Sequence, residues 1–174
     1  MEVPGVRFFL LPMLALLAMP AVATDSAASR LAQAARFDYA TKLATTLALQ
    51  GHIPKANFDC VAAIPLGTYT GPIAGFIGSK LNTDEIATAL SFYESPVGGK
   101  YTQYGIVQFY KLKAIPEDLT VPDIDKNEMQ QIVAFSRSSA GVKLMAPDFS
   151  RGMVLAAKSA EDKELVACGY KGAL

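Results

Sequence analysis

The sequence predicts an all-α protein of five to seven helices in a compact bundle. Hydrophobic residues recur every three or four positions along most segments, as they do on one face of a helix. No segment alternates polar and apolar residues for long enough to build a sheet, and glycines and prolines fall between the helical stripes. A 16-residue unit also occurs twice, at residues 85–100 and 128–143, which indicates two related helix-corner-helix units.

The length and the charge of the chain limit which kinds of protein it can be. The chain has 174 residues, of which 51% are hydrophobic, and its 16 basic and 16 acidic residues give a formal net charge of zero. This length fits a single domain with a substantial core. Because the chain has no basic run and no nucleic-acid-binding signature, we do not expect a nucleic acid partner.

Residues 1–23 have the pattern of a signal peptide. An apolar core at residues 8–19 follows Arg7, and its twelve residues are too few to cross a bilayer. Ala21 and Ala23 place small residues at the two positions that signal peptidase recognises, so we expect cleavage between Ala23 and Thr24. The sequence therefore predicts that residues 24–174 form a single α-helical domain and that the mature protein is periplasmic or secreted.

Residues 25–66 predict two helices. In the first, at residues 25–50, apolar residues recur every four positions up to Gly51. The second begins after Pro54, which suits a first helical turn, and ends at Pro65.

Residues 61–79 carry no charge and contain glycines spaced by four, at Gly67, Gly71 and Gly75. Small residues at this spacing allow helices to approach closely and mark helix-helix faces in membranes. Two interpretations stay open: a loop followed by a short buried helix that begins at Pro72, or a membrane-associated segment.

The repeated unit follows, and its two copies are 43 residues apart. Asn82 and Asp125 each precede a glutamate by three positions, as in a capping box. In each copy a phenylalanine should anchor the core, a serine should cap the second helix, a glycine should allow close helix approach, and a lysine could hold a carboxylate or a carbonyl. The units span about residues 83–113 and 126–147, and the coinciding pairs are Glu85 and Glu128, Phe92 and Phe135, Ser95 and Ser138, Gly98 and Gly141, and Lys100 and Lys143.

The remainder of the chain is less distinctive. Residues 115–125 predict a connector because they contain Pro116 and Pro122. Residues 148–158 predict one more helix, which Asp148 can cap, and the tail from residue 163 is compatible with a helix or an extended segment.

The string FYESPVGGK at residues 92–100 resembles the signature F-Y-x-S-P-x-G-x-K of a family of exported bacterial proteins, the domain-of-unknown-function family numbered 2059. The second copy, at residues 135–143, has Ser136 and Ser139 where the signature has tyrosine and proline. The resemblance covers about residues 80–147. It implies a signal peptide followed by an α-helical domain, and it implies no reaction because the family has no established activity.

Few residues offer chemistry. His52 is the one histidine. It lies near a predicted helix end, where a polar residue is expected even without a catalytic role. No metal-binding or cofactor-binding motif occurs, so we predict no cofactor. Cys60 and Cys168 are the two cysteines, and in an exported protein an even pair favours a disulfide over two buried thiols.

The leading hypothesis is a non-enzymatic exported protein that binds an envelope protein, a second copy of itself or an apolar small molecule. A cavity between helices lined by the aromatic residues Tyr101, Tyr104, Phe109 and Tyr110 would favour the small molecule. A weaker hypothesis places a binding site at the repeat corners. One alternative is an envelope hydrolase that uses His52 or a carboxylate pair drawn from Asp84, Glu85 and Glu94. The other is membrane association through residues 61–79. The corner site would consist of Tyr93, Ser95, Lys100, Ser138 and Lys143.

Overall fold

The computed structural model describes residues 26–112 and 119–170, and these two ranges are helical, with no strand. The all-α prediction is confirmed. The predicted signal peptide, its cleavage site between Ala23 and Thr24, and residues 115–118 of the predicted connector lie outside the described residues. The helices are α1 (Ala27–Ala34), α2 (Phe37–Leu49), α3 (Lys55–Ala62), α4 (Gly67–Lys80), α5 (Thr83–Tyr93), α6 (Pro96–Leu112), α7 (Lys126–Arg137), α8 (Ser139–Leu144) and α9 (Pro147–Ala167).

The described ranges thus hold nine helices, more than the five to seven expected. One reason is a break at Arg36, which divides the predicted helix at residues 25–50 into α1 and α2. Arg36 has φ 54° and ψ 34°, the left-handed region that residues other than glycine rarely adopt. The two helices therefore run in different directions although the hydrophobic period continues through the break.

Helix α4 lies at the centre of the fold and packs against α1, α2 and α9. Tyr69, Ile73 and Ile77 are fully buried, and Tyr69 lies before Pro72. The helix begins at Gly67 rather than at Pro72, so the expected loop is wrong; burial of Tyr69 and Thr70 against neighbouring helices accounts for the extra turn.

The glycines of α4 do not make the close helix contact that their spacing allows. Gly67, Gly71, Gly75 and Gly78 are all exposed, and a methyl group added at any of them would meet no atom within 4 Å. In the described part of the chain no single helix is long and apolar enough to cross a bilayer; α3 and α4 taken together reach that length and composition, across a bend of 52°.

Buried polar side chains tie α2 to its neighbours. Thr70 donates a hydrogen bond of 2.7 Å from its hydroxyl to the Asp38 carboxylate, which is only 3% exposed. Thr45 donates to the buried carboxylate of Glu161 on α9. Burial, followed by the nearby charge of Glu161, raises the pKa of Tyr69 far above its usual range. Asp38 thus lies on the side of α2 that packs against α4.

The predicted disulfide is confirmed. Cys60 of α3 and Cys168, which directly follows α9, are bonded with an S–S distance of 2.07 Å. Helix α9 extends from Pro147 to Ala167, so the predicted helix at residues 148–158 and residues 163–167 of the ambiguous tail form one continuous helix.

Candidate functional site

The two repeat corners have the same geometry. In the first, the Ser95 hydroxyl donates to the carbonyl of Phe92 at 2.6 Å and accepts from the amide of Gly98 at 3.0 Å. In the second, the Ser138 hydroxyl donates to the carbonyl of Phe135 at 2.7 Å and accepts from the next glycine amide, three residues on, at 3.0 Å. Each serine thus satisfies backbone groups that the helix ends leave free.

Glycine is required at both corners. A methyl group added at Gly98 would lie 2.0 Å from the carbonyl oxygen of Phe92, and one added at Gly141 would lie 2.0 Å from that of Phe135. The obstacle is backbone in both cases, so no side-chain rotation relieves it. The close approach inferred from the repeated glycine is therefore present in both units.

The two units pack face to face with an approximate two-fold relation. The Phe92 and Phe135 rings stack with centroids 4.0 Å apart and planes 6° from parallel. Helix α5 packs against α8, and α6 packs against α7. The stacked rings therefore lie where the two units meet.

Two ion pairs cross between the units in reciprocal fashion. Lys100 of the first unit binds Glu128 of the second, with 2.6 Å between Nζ and Oε1. Lys143 of the second unit binds Glu85 of the first, with 2.7 Å between Nζ and Oε2. Each lysine of the repeat thus holds the capping-box glutamate of the other copy, which joins the two units at equivalent positions.

The two glutamates differ in one respect. The hydroxyl of Ser139 donates to Glu85, whereas Pro96 occupies the equivalent position beside Glu128 and has no hydroxyl. Hydrogen bonds from Lys143, Ser139 and a backbone amide lower the pKa of the Glu85 carboxyl to about 2. The hydrogen bond from Lys100, followed by a backbone hydrogen bond, also lowers the pKa of the Glu128 carboxyl.

These contacts account for four of the five corner residues named as a weak binding site. Ser95 and Ser138 cap helices, and Lys100 and Lys143 hold carboxylates within the fold. Tyr93 differs, since it is 8% exposed and its ring packs against Tyr101 and Phe37 beside a cavity. Burial, followed by interaction with Tyr101, raises the pKa of Tyr93 well above its usual range.

This cavity, the α2–α6 cavity, has a volume of about 530 Å³. Helix α6 packs mainly against α5 and α7, and the cavity lies between α6 and α2. Its lining is mostly aromatic and aliphatic, and the principal residues are Arg36, Phe37, Ala40, Leu43, Tyr93, Tyr101, Thr102, Tyr104, Gly105, Ile106, Gln108, Phe109 and Leu144.

Three of the four aromatic residues expected to line a cavity do so: Tyr101, Tyr104 and Phe109. The fourth, Tyr110, lines a neighbouring and more polar cavity of about 850 Å³. There its hydroxyl lies 3.1 Å from that of Tyr39, a hydrogen bond that links α6 to α2.

Arg36 is the functional candidate that the sequence did not single out. It is the one charged residue among those that line the α2–α6 cavity, and it also lines the neighbouring polar cavity. Its side chain is exposed, and none of the ion pairs found in the described residues involves it. An arginine within a regular helical pattern gives no sign in the sequence that it stands at a helix break.

The residues proposed for hydrolysis are not brought together. His52 is exposed in the turn after α2, and it lines none of the cavities described here. Glu94 pairs with Arg30 at 2.6 Å, and Glu85 is held by Lys143. Within the described ranges no group of three or more His, Cys, Asp or Glu residues is arranged to hold a metal ion.

Comparison of the chain with known protein families, curated proteins and solved structures found no match.

Proposed function

We propose that this chain is an exported, non-enzymatic protein that binds an apolar small molecule in the α2–α6 cavity. The single observation that carries the proposal is the cavity itself, with its volume of about 530 Å³ and its lining of aromatic and aliphatic side chains. Cavities of this size, mostly apolar with a few polar groups, are typical of small-molecule sites. A filled space between α2 and α6 would have favoured a protein partner instead.

The lining favours binding over catalysis. No histidine, cysteine, serine or carboxylate is among the residues that line the cavity. The general acids, bases and nucleophiles that hydrolases use most often are therefore missing from the lining of this cavity. Burial, followed by interaction with Tyr101, raises the pKa of Tyr93 above its usual range, which makes its hydroxyl a poorer source of a phenolate nucleophile or base.

Export is part of the same proposal. The disulfide between Cys60 and Cys168 is consistent with an oxidising compartment, and the pattern of residues 1–23 supports secretion. Membership of the exported family numbered 2059 belongs to this proposal as well, on the FYESPVGGK signature. Sequencing of the N-terminus of protein recovered from the periplasm or medium should begin at Thr24, and an uncleaved chain retained in the cytoplasm would contradict export.

Binding can be tested with N-phenyl-1-naphthylamine, an uncharged apolar dye whose fluorescence rises in an apolar site. Gly105 lines the cavity, and a methyl group added there would meet no atom within 4 Å, so Gly105→Leu should place a side chain in the space without a backbone clash. The matched control is Gly75→Leu, on an exposed face of α4 that lines none of the described cavities.

We expect saturable binding of the dye to the native protein and to Gly75→Leu, and binding weakened by at least about tenfold in Gly105→Leu, because the added side chain occupies the site. Helix stability should rise slightly in both variants, since leucine favours helix over glycine. A native protein that leaves the dye fluorescence unchanged, or two variants that bind equally, would refute the proposal.

Membrane association through residues 61–79 stays a prediction. Recovery of the mature protein in the soluble fraction without detergent would contradict it.

A further inference from the structure

We infer that the natural ligand is an anionic amphiphile, an apolar chain that carries one carboxylate, with the chain in the α2–α6 cavity and the carboxylate bound by Arg36. This inference rests on the proposed function and adds the chemical class of the ligand.

The α2–α6 cavity carries a single charged side chain at its edge. Arg36 supplies its one charged side chain and lies at its edge, where it is exposed and lines the adjoining polar cavity too. Its neighbours in the chain differ: Arg30 is paired with Glu94, and Asp38 accepts hydrogen bonds from Thr70 and from the amide of Tyr39. A guanidinium without an acidic partner at the edge of an apolar space is complementary to a molecule with an apolar body and an acidic end.

The backbone at Arg36 also favours an anionic group at this edge. This residue precedes the first turn of α2 and makes no side-chain cap, so the positive end of the helix lies at the same edge of the cavity as the guanidinium. Asp38, also in this first turn, accepts from the amide of Tyr39 with one carboxylate oxygen and from Thr70 of α4 with the other. It therefore offsets part of this helix-end charge, and the Arg36 guanidinium supplies the main positive charge at this edge. Residues other than glycine that hold a left-handed conformation occur preferentially at ligand sites.

Thr102 of α6 offers a second polar group to the same ligand. It lines both cavities, as Arg36 does, and its hydroxyl oxygen is buried without a hydrogen-bond partner in the described part of the chain. A buried hydroxyl without a partner is unfavourable, and a threonine can turn to another staggered rotamer when a partner arrives. A carboxylate held by Arg36 is such a partner. The second oxygen of the carboxylate would stay in contact with solvent in the neighbouring polar cavity.

The test compares decanoate, decanol and decylamine, which share one alkyl chain and differ in the charge of the end group. Their affinities are measured at pH 7 by displacement of N-phenyl-1-naphthylamine from the native protein, from Arg36→Gln and from Arg36→Gly, which tolerates the left-handed backbone. The control is Arg137→Gln, which removes an exposed arginine of α7 that lines none of the described cavities.

We expect the native protein and Arg137→Gln to bind decanoate about tenfold or more tightly than decanol, and decylamine more weakly than decanol. Both Arg36 variants should lose this preference while their affinity for decanol stays within about twofold, because the chain site is intact. Raising the salt concentration should narrow the gap between decanoate and decanol for the native protein and for Arg137→Gln, and not for the two Arg36 variants.

Two results would overturn the inference, and they differ in meaning. If the native protein binds decanol as tightly as decanoate, or if the Arg36 variants keep the preference, Arg36 does not bind the carboxylate of the ligand. If neither the dye nor any of the three compounds binds to the native protein, the proposed function fails as well.

Discussion

A single methyl group at Gly98 tests whether the repeat corner is a close-packed joint. In Gly98→Ala the new carbon would lie 2.0 Å from the carbonyl oxygen of Phe92 and 2.7 Å from Cα of Tyr93, whereas ordinary contacts begin at 3.4 Å. Helices α5 and α6 would have to separate by about 1.4 Å at the corner, and the Phe92 ring stacked on Phe135 would have to follow.

The expected magnitude follows from two opposing effects. Overpacking against backbone costs about 3 kcal/mol, the upper part of the range for core substitutions, because no side chain can rotate away. Replacing glycine by alanine in a helix returns up to about 1 kcal/mol. We therefore expect Gly98→Ala to lower the free energy of unfolding by about 2 kcal/mol.

The adjacent Gly99 provides the control. It lies on the same helix, and a methyl group added there would meet no atom within 4 Å, so Gly99→Ala should gain up to about 1 kcal/mol. The two variants should thus differ by about 3 kcal/mol, or about 1.5 M in the urea midpoint for a typical slope near 2 kcal/mol/M. Urea unfolding followed by circular dichroism measures this difference. Equal midpoints, or a higher midpoint for Gly98→Ala, would refute the packing argument.

Further predictions concern the second corner, the carboxylate of Glu85 and the disulfide. Gly141→Ala should destabilise about as much as Gly98→Ala because it meets the same 2.0 Å clash; a neutral effect would show that the units are not equivalent. Since the folded pKa of Glu85 is lowered from 4.5 to about 2, its stabilisation is present above pH 4.5 and lost as the pH falls toward 2. The destabilisation by Glu85→Gln should therefore shrink over that interval in urea unfolding, and a constant deficit from pH 7 to pH 2 would contradict it. Replacing Cys60 and its partner by serine should cost up to ~5 kcal/mol, since the bond spans 108 residues; an unchanged urea midpoint would exclude a stabilising role.

Much of the helical architecture follows from local pattern. Capping boxes at Asn82 and Asp125 begin α5 and α7 where the sequence indicates, because these contacts lie within one helical turn. The corner at Ser95 is equally local, since serine bonds to backbone groups three residues away on either side. Such features need no information about the rest of the fold.

The break at Arg36 is different. Nothing in residues 25–50 interrupts the hydrophobic period, yet α1 packs against α4 and α5 while α2 packs against α4 and α9. One straight helix could not reach both surfaces, so tertiary packing selects a conformation that arginine disfavours locally.

By itself, the sequence determined the helical class, the two corners and the pairing of Cys60 with Cys168, because these depend on periodicity, on contacts within a few residues or on the count of cysteines. Only the tertiary structure decided that Lys100 and Lys143 each bind the other unit's glutamate, since a repeat does not reveal how its copies face each other. The α2–α6 cavity also belongs to the tertiary structure. Aromatic residues that line a cavity and aromatic residues that fill a core have the same pattern in the chain, and only the positions of the surrounding helices distinguish them.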